Sequence, residues 1–294
     1  MKLFFAFVSF ICLQSCVGQP APLLPQNKDN NSLLWEISGN GLKKPSYIYG
    51  TFHMMCKDDI RFGENVQKAI NGAEEVYFEM DLDDPANTLG ALLYMNMSNG
   101  KTLQDFVSAD EYLRLEKFFK DSLRTALKTF QKMKPAMLEA FLYPKMLPCK
   151  TLSGVDQELV KMATRAKKEI KGFETIAFQS AVFDSIPYSQ QAGSLLKTID
   201  SLAKYRLFFD TMLRVYKTQR MEEIESLFSQ SEFGMAEGME FLLDRRNVNW
   251  VAQLKNILPT TNIFMAVGAG HLPGKMGIIA LLKKEGYTLK PIVN

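Results

Sequence analysis

Apolar and polar residues alternate at the two ends of this chain, whereas in the middle apolar residues recur every three to four positions. Residues 32–38 read as a strand running into a Gly39-Asn40-Gly41 turn, with 45–49 as its hairpin partner. Helical spacing over 62–73 precedes an alternating strand over 75–81, with Val76, Phe78 and Met80 on one face and Tyr77, Glu79 and Asp81 on the other. The stripe Tyr112, Leu115, Phe119, Leu123, Ala126, Leu127 and Phe130 predicts a core-facing helix. Further helices are expected over 135–142, stopping before Pro144, and over 155–170, 189–230 and 235–257. Strand patterning returns at 262–267, followed by a short helix over 275–284 and a closing strand over 287–293. The pattern implies an α/β fold: a mixed central sheet formed from N- and C-terminal segments, with a large helical insertion over about 100–257. A single domain is expected over 32–294, and no internal period indicates a solenoid.

The chain has two histidines, and both close a Gly-x-x-His motif: Gly50-Thr51-Phe52-His53 and, 218 positions later, Gly268-Ala269-Gly270-His271. Each follows an apolar β-type run, so each glycine is expected to end its strand and each histidine to sit on a strand-exit loop. Such loops at the carboxyl ends of strands are where α/β proteins build their sites. A lone histidine there is ordinarily a surface or structural residue. Two in matching contexts point to a shared site, because imidazole suits metal ligation and proton transfer near neutral pH.

The 294 residues carry a formal charge of +3, which falls to +2 if residues 1–15 are removed with Lys2, so nothing favours nucleic acid. Residues 1–15 read as an export signal: Lys2, then the apolar stretch 3–12, then Leu13-Gln14-Ser15-Cys16, which resembles a lipobox. Gln14 departs from the small residue usual there, and a plain secretory signal is the alternative. Cys16 is the expected lipidation site, and 16–31 reads as a polar tether from a membrane. The expectation is an exported bacterial lipoprotein facing the periplasm or cell surface, with no membrane-spanning segment after the signal. In an oxidising compartment Cys56 and Cys149 are candidates for a disulfide, with a thiolate ligand or two free thiols as alternatives. The basic run 161–171 reads as a solvated helix face.

At these motifs the sequence resembles the TraB/PrgY/GumN family, related to the Tiki proteins. The likeness rests on 46–53, Glu79-Met80-Asp81, Ser153-Gly154-Val155-Asp156, Gly172-Phe173-Glu174-Thr175 with Gln179, Arg246-Asn247 with Trp250, and 267–271. The resemblance implies a fold like that of the erythromycin esterase and ChaN group, with the paired motifs and a glutamate lining one cleft. It also implies metal-dependent proteolysis, with His53, Glu79 and His271 as metal ligands or catalytic groups and Arg246 and Asn247 as site partners. Two imidazoles and a carboxylate suffice to hold a divalent ion (Mn, Co or Zn) with open positions for hydrolysis. If Glu79 ligates, Asp81 or Asp156 is the candidate general base. Arg246 would stabilise an oxyanion or bind a substrate carboxylate, and Asn247 would orient a histidine. Glu174 and Gln179 read as structural groups capping or bridging a turn, and Gly154 and Gly172 as turn glycines.

No phosphate-binding glycine loop, nucleophile-elbow serine or His-Glu-x-x-His helix is present. The leading expectation is a metal-dependent peptidase acting on peptides or secreted proteins outside the cytoplasm. The alternatives are haem binding through His53 or His271, as in ChaN relatives, and sequestration of a peptide without cleavage.

Overall fold

Gly39, Asn40 and Gly41 all take positive φ, at 76°, 48° and 80°, and turn the chain between β1 (Leu34–Gly39) and β2 (Ser46–Thr51), as the alternating pattern predicts. The structure, a computed structural model, describes residues 31–85, 90, 94–228 and 239–293. The hairpin register pairs Leu34 with Tyr49 and Ile37 with Ser46. A two-residue bridge, β3 (Met55–Cys56), and the helix Glu64–Gly72 then lead to β4 (Glu75–Met80). Much later come β5 (Leu152–Ser153), β6 (Glu169–Glu174), β7 (Ile263–Gly268) and β8 (Tyr287–Ile292).

The main sheet has the order β6-β4-β7-β2-β1-β8. β2, β7, β4 and β6 are parallel, and β1 runs against both of its neighbours. Passing from β2 to β4 leaves a slot one strand wide, which β7 fills from the far end of the sequence. Its Ile263–Val267 are all buried, as a strand flanked and covered on both faces requires. The mixed sheet thus forms with strands from both chain ends, as the pattern predicts, and takes its edge strand β6 from within the span expected to be a helical insertion. β3 and β5 make a separate antiparallel bridge.

A large apolar core surrounds the sheet, with Trp250, Phe78, Phe264 and Ile48 fully buried. The helical insertion has a second core around Leu103, Leu115, Phe119, Leu127, Leu138 and Leu195. Its stripe is split: the helix Ala109–Leu123 ends at left-handed Arg124 (φ 55°), and Leu127 is buried from a following 3-10 turn. Similar breaks divide the expected helix over 189–230 into Tyr188–Asp200, Leu202–Thr218 and Met221–Phe228, with Gln219 at φ 58°. Pro144 does not stop the chain from being helical, because it lies in the first turn of a new short helix, Tyr143–Met146, where its missing N–H costs nothing.

The largest departure is over 155–170. The helix Val155–Arg165 stops early, Lys167 turns left-handed at φ 55°, and the basic run continues into edge strand β6. A six-residue edge strand of sequence EIKGFE has too little apolar alternation to declare itself. Accordingly Gly172 is a strand glycine rather than a turn glycine. A side chain there would come within 2.2 Å of the Asp81 backbone nitrogen, so only glycine lets β6 close on the end of β4. The helix expected over 235–257 is found as Arg245–Ile257, preceded by a wider π-helical turn, Glu240–Asp244. Its first residues lie outside the described residues. So do residues 1–30, which carry the expected signal, most of the tether and Cys16. Among the described residues no helix is long and apolar enough to cross a membrane.

Candidate active site

The carboxyl ends of four parallel strands lie side by side, and each delivers one ionisable group. His53 follows β2 by two residues, Glu79 is the penultimate residue of β4, Glu174 is the last of β6, and His271 follows β7 by three. Gly268 ends β7 as expected, but β2 runs one residue past Gly50. Gly50 lies inside β2, where an added Cβ would stand 2.9 Å from Leu272 Cδ1 and 3.1 Å from the Ala269 backbone. It is small because the second motif packs directly on the first. The Tyr216 hydroxyl seals this junction by donating to the Gly50 carbonyl at 2.9 Å.

Glu79 Oε1 is the common point of the site. It lies 3.9 Å from His53 Nε2 and 3.7 Å from His271 Nε2 and accepts from the Gly268 N–H at 2.8 Å. A methyl group on Gly268 would lie 3.3 Å from that oxygen and 3.5 Å from both His53 Nε2 and His271 Cδ2. Three side chains from three adjacent strands therefore converge on one glycine-lined space. Among the described residues no cluster of three His, Cys, Asp or Glu side chains already has metal-ligating spacing. Two ligands of one tetrahedral ion stand about 3.4 Å apart, and the His53 and His271 distances to Glu79, 3.9 and 3.7 Å, are both longer than that.

The tautomer of His271 follows from its partner. Asn247 Nδ2 donates to the Met276 carbonyl at 2.8 Å, so Asn247 Oδ1 accepts at 2.6 Å from His271 Nδ1. The Nε2 lone pair is thereby left facing Glu79 and Arg246 Nη1, the latter at 3.3 Å. Burial, with the Arg246 and His53 charges behind it, pulls His271 down to about 3 despite the pull of Glu79, so the ring is neutral and ready to ligate. Burial opposes ionisation of Glu79 too, but His271, His53, Arg246 and the Gly268 N–H together bring it to about 2. With His271 neutral, Arg246 is the permanent cation in that set. For His53 burial favours the neutral ring, yet Asp156 and Glu79 outweigh it and raise it to about 9. Its side chain lies in a crowded cleft while keeping 67% of its surface in water, which screens this effect.

Arg246 has no N–H to spare. Nε donates to both Glu174 oxygens at 3.0 and 3.1 Å, Nη2 to Glu79 at 2.6 Å and Glu174 at 2.8 Å, and Nη1 to the Leu242 carbonyl at 3.0 Å besides facing His271. The π-helical turn before it supplies that carbonyl. Arg246 is thus a clamp on Glu79, and the oxyanion or substrate-carboxylate role expected for it is not what this arrangement supports. Asn247 sits where its expected role puts it, against a histidine.

Asp156 and Asp81 part company. Asp156 Oδ1, buried without a hydrogen bond, lies 3.6 Å from His53 Nδ1, and the Val155 N–H holds the same loop by donating to the Phe52 carbonyl at 2.9 Å. Gly154 is required there because a Cβ would meet the His53 carbonyl at 2.6 Å. Asp81 lies past the end of β4 and accepts from the Asp84 N–H at 3.3 Å, and it is not among the residues that line the cavity with His53, Glu79 and Asp156.

Glu174 and Gln179, read from sequence as turn groups, belong to this network. Glu174 also accepts from Trp250 Nε1 at 2.8 Å, and Gln179 Nε2 bridges Glu174 and Glu79 at 3.2 and 3.4 Å. The signal for Glu174 was its place at the end of a strand, which was lost with the strand itself. Cys56 and Cys149 are joined, tying the segment after His53 to the one before β5, with Cα atoms 5.7 Å apart. Beyond His53 and Glu79 a cavity of about 490 Å³ opens under the helix Ile176–Asp184.

A sequence profile of the TraB/PrgY/gumN family matches residues 33–291, nearly all of the described chain. The chain belongs to the TraB/PrgY/gumN family. Among its relatives, Metalloprotease TIKI1 of Homo sapiens is 26% identical over 91% of this chain and 63% of its own length. Metalloprotease TIKI1 of Danio rerio is 25% identical, covering 90% and 64%. A Metalloprotease TIKI homolog of Nematostella vectensis is 23% identical, covering 90% and 67%. This member of the family therefore spans just under two thirds of the first two relatives' length. No solved structure matches the chain.

Proposed function

We propose that the protein is a metal-dependent peptidase acting on peptides or secreted proteins outside the cytoplasm, held to a membrane by lipid on Cys16. The observation that carries the reading is the convergence of His53, His271 and Glu79 around Gly268, with His271 held neutral and its Nε2 lone pair turned inward. The names of the family's relatives support the same chemistry.

His53 Nε2, His271 Nε2 and Glu79 Oε1 would hold a divalent ion, Mn, Co or Zn. Such an ion polarises a peptide carbonyl and acidifies a bound water. The chain's own part is orientation. Asn247 fixes the His271 tautomer, and Asp156 sits 3.6 Å from His53 Nδ1 while Nε2 of that ring is directed to Glu79; the proton that Asp156 and Glu79 favour there is given up when His53 Nε2 takes an ion. Arg246, gripped by Glu174 and Trp250 around it, holds Glu79 Oε2 and leaves Oε1 for the site. Engagement of the His271 lone pair replaces its contact with Arg246 Nη1.

The test is cleavage of a mixed peptide library by the purified full chain with each ion, read by mass spectrometry. Cleavage should be lost in His53→Ala, Glu79→Ala and His271→Ala separately. Absence of cleavage with all three ions, or cleavage that survives all three substitutions, refutes the proposal. A Soret band on adding haem, lost in the histidine variants, would establish the haem-binding alternative instead.

A further inference from the structure

The helix Ile176–Asp184 has apolar residues all round, with Ile176, Ala177, Phe178, Ala181, Val182 and Phe183 among its nine, yet its only buried residue is Ser180. A helix apolar on every side normally lies in a core. Here Phe178 is 44% exposed, and Ile176, Val182 and Phe183 are half-buried and line the cavity beside the site rather than packing into either core. Met80, Met95 and Met137 share that lining. Tyr94, 43% exposed, joins Phe183 as an aromatic of the lining that is not buried.

The cavity lining is mixed: His53, Glu79, Asp156 and Arg246 share it with a wall of thioether, aliphatic and aromatic groups and with the polar Thr51, Gln157, Gln179 and Ser180. Buried Lys134 steadies that wall without entering it. Its Nζ donates to the Ser180 carbonyl and hydroxyl at 3.0 and 2.6 Å and pairs with Asp184 at 2.8 Å, anchoring the exposed-apolar helix from behind. At about 490 Å³ the space falls in the range of small-ligand sites and takes more than one large side chain.

We infer that this cavity is the specificity pocket of the proposed peptidase and takes a bulky apolar side chain, Leu, Met or Phe, from the substrate residue next to the scissile bond. The inference rests on the peptidase reading and deepens it. A peptide carbonyl seated at the imidazole end carries its neighbouring side chain toward the methionines, which adapt to varied apolar shapes. A charged side chain in that place would be buried without a partner, and a small one would leave the apolar wall uncovered.

Two measurements on the full chain separate failure of the pocket from failure of the chemistry. The first compares kcat/KM for peptides carrying Leu, Met or Phe beside the cleaved bond with those carrying Ser or Asp. The expected preference is about 100-fold, the discrimination typical of an apolar pocket. Val182→Trp, which fills the cavity, should reduce that preference at least tenfold, and Phe183→Ala, which enlarges it, should move it toward larger residues. The second follows fluorescence of N-phenyl-1-naphthylamine on metal-free protein, where apolar peptides should displace the probe and Val182→Trp should prevent its binding. Cleavage without apolar preference overturns the pocket and leaves the peptidase reading standing. Probe binding blocked by Val182→Trp, with no cleavage under any ion, sustains the pocket and overturns the peptidase. Failure of both overturns both.

Discussion

Gly268→Ala is the sharpest probe of whether the two histidines and Glu79 form one site. The residue sits at φ −50° and ψ 134°, a conformation open to alanine, so the substitution brings no backbone strain. Loss of glycine's freedom in the unfolded chain stabilises by about 0.4 to 1 kcal/mol. Against this, the new methyl stands 3.3 Å from Glu79 Oε1, an oxygen that cannot easily retreat because Gly268 N–H and, through Oε2, Arg246 both hold the carboxylate. The two effects roughly cancel, and the melting temperature should stay within about 3 °C of the parent. Metal affinity should not survive so well. The methyl crowds the space between all three donors, and a loss of about 100-fold is expected, at the upper end of what disturbance of a ligand shell costs. Calorimetric titration with Mn, Co and Zn, beside circular-dichroism melting, reads both quantities. An alanine variant that binds the ion as tightly as the parent, at the same stoichiometry, would show that the three side chains do not share a cation.

Glu174→Gln keeps the shape of the site but removes the charge that grips Arg246. Several charge-assisted hydrogen bonds weaken at a side chain only 1% exposed, so a loss of about 3 kcal/mol and a fall in melting temperature of roughly 6 to 12 °C are expected. A change under about 2 °C would mean that Glu79 alone secures the arginine. Replacing Cys56 and Cys149 by serine opens a link across a sequence separation of 93, and about 4 kcal/mol should be lost, with a melting shift on the order of 10 °C that is absent if the parent is already reduced. Burial pushes the Glu139 carboxyl up to about 7. Since its folded value exceeds its unfolded value, the folded state binds the extra proton between about pH 4.5 and 7, and stability declines as pH rises through that window. Glu139→Gln should therefore match the parent near pH 4.5 and exceed it by roughly 2 to 3 kcal/mol at pH 8 in urea unfolding. Equal pH profiles for the two proteins would rule this out.

The candidate site residues were visible early because they are rare types in repeated local contexts. Two histidines in matching motifs and an acid on an alternating strand are properties of short segments, and short-range patterning is what one sequence displays directly. Patterning likewise fixed the hairpin, β4, β7 and β8, whose alternation or continuous apolarity reflects burial on one or both faces. It did not expose β6, because a charged edge strand need not alternate, and with β6 went the meaning of Gly172, Glu174 and Gln179.

Only the tertiary structure decided that β7 enters the slot between β2 and β4, and that insertion is what brings His271 and His53 to one oxygen of Glu79. It also turned Arg246 from a free cation into a clamp, and put Asp156, but not Asp81, into the lining of the cavity that holds His53. The physical reason is range. Hydrophobic period and turn chemistry act over a few residues, whereas the order of strands in a sheet and the partners of a buried charge are settled by packing between segments up to two hundred residues apart.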